Sequence, residues 1–155
     1  MIRLVIRGTL FLALAAGASH VTLVAAQDND VSSYIDSNYG SAPGVADAAR
    51  VFASSLAALW DQTAVTQKYD RQLTIMAGAS ELCLRAHLSL VGVDDADGAI
   101  DDLKRRVAAT PQRYAGYVFS EQLASQNPVD DTITPRQACK LVGAPITLPV
   151  PQPGP

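Results

Sequence analysis

Histidine is scarce in this chain of 155 residues, occurring only at His20 and His87. Cysteine is as scarce, at Cys83 and Cys139, and glutamate occurs only as Glu81 and Glu121. Each shortage removes a class of chemistry. His20 falls in an N-terminal stretch that reads as a leader, which leaves His87 alone and excludes any mechanism needing two imidazoles from one subunit. No pair of carboxylates stands out for acid–base work. The serines at 54, 55 and 80 have neither a Ser-x-x-Lys pattern nor a nucleophile elbow around them, and there is no glycine-rich phosphate loop. No catalytic residue, cofactor site or metal site is expected.

A long apolar run is missing too. Gly8 to Ser19 gives about a dozen residues between Arg7 and His20, short of the ~18 that a membrane span needs. Arg3 and Arg7 form a positive start, "TLFLALAAGA" (Thr9 to Ala18) the apolar middle, and Val24-Ala25-Ala26 the residues before a cut. The pattern predicts a signal peptide over 1–26, cleaved between Ala26 and Gln27, with a retained N-terminal anchor as the alternative. No twin arginine precedes the run, which points to the general secretory route. The chain is therefore expected in the periplasm or outside the cell, with no stable membrane insertion after cleavage. Without Arg3 and Arg7 the net charge moves from −3 to about −5. An acidic chain with no basic tail gives no reason to expect nucleic acid.

Composition then divides the rest. Residues 27–44, "QDNDVSSYIDSNYGSAPG", read as a flexible arm, rich in Asp, Asn, Ser and Gly. Residues 145–155, "PITLPVPQPGP", read as a disordered proline-rich tail. Between them, 45–144 is expected to be one all-α domain, a small bundle of four to five helices.

Proline is absent from Val45 to Thr110. Val45, Ala49, Phe52, Leu56 and Leu59 recur at helical spacing. A second period runs through Tyr69, Leu73, Met76, Ser80, Cys83, His87 and Leu90, apolar around so much of its girth that it is expected to be the central helix. Ile100, Leu103 and Val107 mark a third helix. Thr110-Pro111 and Thr134-Pro135 are start signals, a capping threonine before a proline that suits the first helical position. Tyr114, Tyr117 and Val118 are expected on the apolar side of the fourth helix, and Gly143 closes "PRQACKLV". Of Tyr114, Tyr117 and Phe119, at least two are expected in the core.

The stretch "ELCLRAH", Glu81 to His87, places Cys83 and His87 one helical turn apart on the same face. An exported chain with two cysteines most simply bridges them. A Cys83–Cys139 disulfide would close a loop of roughly 57 residues, worth about 4 kcal/mol on the chain-entropy model. Two other readings were weighed: Cys83 as a thiolate with His87 as its base, and a zinc site drawing on Cys83, Cys139, His87 and Glu81. An oxidising compartment and an available partner cysteine favour the bridge, with His87 as a hydrogen-bonded core histidine.

The acidic turn at 94–98 contains the fragment D-x-D-G. With Gly98 at position 6 of a calcium loop, positions 1 and 12 fall on Val93 and Lys104, where oxygen donors are required. The aspartates are better read as caps and first-turn residues of a helix. Asp101–Arg105 and Asp102–Arg106 are then expected as i, i+4 pairs.

The functional expectation is a non-enzymatic, exported protein that binds another protein. The alternative is a structural or assembly accessory of an envelope complex, and a Cys/His thiol or metal enzyme ranks below both. The layout is similar to small periplasmic immunity proteins and to acid-stress chaperones, in architecture and without a shared motif. That similarity implies inhibition of a partner or binding of unfolded clients.

Overall fold

A computed structural model describes residues 16–128 and 132–146, with side chains from Gln27 onward. The fold is all-α, six helices in the order α1 (Ala16–Tyr39), α2 (Pro43–Thr66), α3 (Arg71–Leu90), α4 (Ala96–Val107), α5 (Pro111–Gln126) and α6 (Pro135–Leu141). One disulfide joins Cys83 and Cys139. The expected periods correspond to α2 through α6.

Residues 27–39 are helical, where composition suggested a flexible arm. They form the second half of α1, and Val31 and Ile35 one turn apart are buried in the core. Two polar residues around them have tertiary partners. Asp36 pairs with Arg50 at 2.6 Å, and the Arg106 guanidinium stacks over the Tyr34 ring at 3.9 Å. The leader reading lies outside the described residues up to position 15. The backbone of α1 runs through the Ala26–Gln27 junction. Of the proline-rich tail, Pro145 and Ile146 are described and the remainder lies outside.

The centre is α2, not α3. Proline at its first position opens α2, and alanines at 46, 48, 49 and 53 let neighbours approach from several sides. Phe52, Leu56, Leu59 and Trp60 fill the spaces between those neighbours. α2 packs against α1, α3, α4 and α5, whereas α3 keeps one side half-exposed along Ile75 and Leu82. The chain turns between α2 and α3 at Gln67, whose φ of 52° is left-handed, so the two helices are separate.

The start signals act locally. Asp70, Asp95, Thr110 and Thr134 each accept a backbone N–H from three residues on, capping α3 to α6. Thr134 and Gln137 complete a reciprocal capping box. After α6 the chain reverses at Gly143 (φ 75°), where Ala144 N–H donates to Cys139 carbonyl at 2.9 Å and Gly143 N–H to Lys140 carbonyl at 3.3 Å. This Schellman closure sets the Ala144 carbonyl beside α3. No described helix is long and apolar enough to cross a membrane.

Candidate functional site

Two places on the bundle bring chemistry-bearing side chains together. The first is the corner where α6 meets α3. Cys83 and Cys139 are fully buried, with Cα atoms 4.7 Å apart and sulfurs bonded. His87, 8 % exposed, lies one turn along α3 from Cys83, and its Nε2 is 3.2 Å from the Ala144 carbonyl oxygen. The same oxygen is 3.5 Å from the Cys83 sulfur. The ligand atoms of Cys83, His87 and Cys139 all lie within 4.8 Å of one another. With the bridge closed, each sulfur is held by the other, and the corner fastens α6 to the bundle. Glu81, weighed as a further zinc ligand, points elsewhere: it pairs with Arg85 at 3.3 Å and Lys104 at 2.9 Å.

The second place is a groove of about 660 Å³ between α4 and α5, walled by Trp60, Tyr114 and Tyr117 on one side and Lys104 and Arg105 on the other. Its origin lies in how α5 sits on α2. The inner side of α5 is Arg113, Gly116 and Ser120, small or polar residues one turn or so apart. Gly116 lies against the Trp60 backbone, and this close approach leaves no space for a side chain at that position. Tyr114 is consequently 59 % exposed, Val118 is exposed, and Tyr117 and Phe119 are half-buried. The expectation is corrected for Tyr114 and Val118, which point outward because small residues hold the contact, whereas Tyr117 is half-buried against the core. Tyr117 meets the Trp60 ring edge-on at 5.2 Å, and Tyr114 follows it at 6.2 Å.

One side of α5 is anchored by charge. Arg113, 3 % exposed, is gripped by Asp61 through Nε at 3.0 Å and Nη2 at 3.1 Å, and by Asp28 through Nη1 at 2.7 Å. Burial disfavours its charge, yet the two carboxylates more than compensate, and its pKa lies above the ordinary arginine value. Beside it, Gln27 Nε2 donates to the carbonyls of Arg106 and Val107 at 2.7 and 3.1 Å, closing the end of α4. Neither contact was visible in the sequence. A single arginine inside an otherwise small-residue stripe was the available signal.

The acidic turn divides among separate partners. Asp95 Oδ1 accepts Gly98 N–H at 2.8 Å, Asp97 pairs with Arg85, and Asp101 borders the groove. Asp102 meets Arg106 at 3.4 Å as expected, but Arg105 also reaches Asp102, at 3.1 Å, instead of Asp101. The Tyr34 phenol interacts with Asp102, and this, ahead of Arg106, holds the Asp102 carboxyl below its ordinary range. The Tyr34 phenol is pushed well above its own range, first by burial and then by Asp102.

No protein-family model, no curated protein and no solved structure matches this chain.

Proposed function

We propose that this chain is an exported, non-enzymatic protein that binds another protein through the groove between α4 and α5. The observation that carries the reading is the exposure of Tyr114 and Val118 on α5, a helix that rests on α2 through the small residues Gly116 and Ser120. Aromatic side chains and arginine concentrate the energy of protein interfaces, because they bury much area with little loss of rotamer freedom. The groove supplies both, with three rings on one wall and the Arg105 guanidinium, 76 % exposed and paired with Asp102, on the other. Its occupant is an apolar anchor side chain of the partner with a neighbouring carboxylate that reaches Arg105.

The leader pattern supports export, and the disulfide suits an oxidising compartment. The two residues after the expected junction are both fastened to the bundle, Gln27 to the end of α4 and Asp28 to Arg113. Cleavage after Ala26 would therefore keep the contacts that place α1 against α4 and α5.

The test is capture from the exported fraction by the tagged chain and by a Tyr114→Ser/Val118→Ser variant. Both changes are on exposed positions, so circular dichroism and thermal midpoint should be unchanged. The expected result is a discrete partner held by the parent and lost by the variant. Equal recovery with both chains would refute the groove as the interface. A partner lost only on deletion of 145–155 would favour the assembly-accessory reading.

A further inference from the structure

Among the described residues, the only group of three metal-ligating side chains within reach of one cation is Cys83, His87 and Cys139. We propose that this corner is a redox-gated site for a thiophilic d10 cation, Zn²⁺ or Cu⁺. It is closed as the disulfide, and when reduced it presents two thiolates and one ring nitrogen of His87. This inference is independent of the α4–α5 groove.

The geometry is close to what such a cation requires. Zinc bound at ~2.3 Å to sulfur and ~2.0 Å to nitrogen in a tetrahedron sets its ligand atoms about 3.5–3.8 Å apart. The present set of ligand atoms lies within 4.8 Å of one another. Two ligands share one turn of α3, so their mutual position is fixed by the helix. The third comes from α6, a seven-residue helix whose main packing is against α3.

Burial and access also fit. Both sulfurs are out of water, where two thiolates need a cation to be tolerated. His87 borders a cavity of about 580 Å³ that is also lined by Gly44, Asp47, Arg50 and Pro145, which gives an entry path. Soft thiolates with one imidazole select Zn²⁺ and Cu⁺ over Mg²⁺ or Ca²⁺.

The reaction balances with a dithiol as reductant. The dithiol supplies two electrons and two protons, its own sulfurs join, and the Cys83–Cys139 bond breaks to two thiols. Binding Zn²⁺ then releases both thiol protons, so the reduced site exchanges two protons for one divalent ion. In an oxidising compartment the bridge blocks the site. Where a dithiol and the metal meet, it opens.

The test uses the exported chain, purified oxidised and then reduced without oxygen. Each form is titrated with Co²⁺ as a spectroscopic probe, then with Zn²⁺ and with Cu⁺ against chromophoric chelators. The oxidised chain is expected to take up none. The reduced chain is expected to bind one equivalent with thiolate-to-cobalt charge-transfer absorption. Cys139→Ser should lose about half of that absorption, because one of two sulfurs is gone. His87→Gln should weaken binding by at least roughly tenfold while its oxidised form keeps the fold and the disulfide. The chelator competitions identify which cation is held more tightly. A reduced chain without the charge-transfer band would overturn the proposal. So would a His87→Gln chain that binds as tightly as the parent, which is the behaviour of an unfolded dithiol and not of a built site.

Discussion

A β-carbon placed on Gly116 would lie 1.9 Å from the carbonyl oxygen of Trp60, so α5 rests on α2 backbone against backbone. The obstacle is main chain and cannot rotate away. Gly116→Ala is therefore expected to lower stability by about 1–3 kcal/mol or more, against the small gain alanine brings to a free helix. The urea midpoint measures it. If α5 is displaced, partner capture should weaken in the same variant. An unchanged midpoint would mean that the close approach does not exist.

The two carboxylates on Arg113 are not equivalent. Removing Asp61 leaves a buried guanidinium without its two-pronged partner, and Asp61→Ala is expected to cost about 3–5 kcal/mol. Asp28 is 55 % exposed and makes one bond, so Asp28→Ala should cost about 1 kcal/mol or less. The order of the two losses in denaturant unfolding is the check; equal losses would contradict the geometry.

How much was legible follows the same divide between local and distant causes. Thr110-Pro111, Thr134-Pro135 and Gly143 announced helix ends because a cap acts over three or four residues, and each is where it was expected. The disulfide was legible from the cysteine count and the leader pattern. The stretch 27–44 reads as a flexible arm, yet 27–39 is helical, because composition does not show partners far along the chain: Asp28 pairs with Arg113, and Gln27 Nε2 donates to the carbonyls of Arg106 and Val107. The groove was hidden for a related reason. Periodicity assigns large apolar residues to the inner face, whereas α5 puts Gly116 and Ser120 there. Small residues spaced four apart were the sequence signal for such an approach.

Tyr34 and Asp102 give the fold a pH signature at both ends. The Asp102 carboxyl titrates below its ordinary 3.8 in the fold, mainly through the Tyr34 phenol, so its contribution is present above that value and lost as pH falls below it. The Tyr34 phenol titrates above its ordinary 10.0, through burial and then Asp102, so its contribution is present below that value and lost as pH rises beyond it. Tyr34→Phe is expected to lower stability at neutral pH by about 0.5–1.5 kcal/mol and to flatten both limbs. The acid limb should keep a remainder from Arg106. Urea unfolding at neutral, acid and alkaline pH measures it, and a variant curve parallel to the parent would contradict the pairing.

Export makes its own statement in mass. The chain recovered from the exported fraction is expected to weigh as Gln27–Pro155 less two hydrogens, and to react with iodoacetamide only after reduction. A full-length mass would place the N-terminal stretch in a retained anchor instead.

The most direct measurement of the central claim is photo-crosslinking in the exported fraction, with a benzophenone side chain at Tyr114 in one chain and at Ser33, on the exposed side of α1, in another. Binding through the α4–α5 groove requires one discrete crosslinked species from position 114 and none from position 33. The same species from both positions, or none from 114 while the partner still co-purifies, would contradict it.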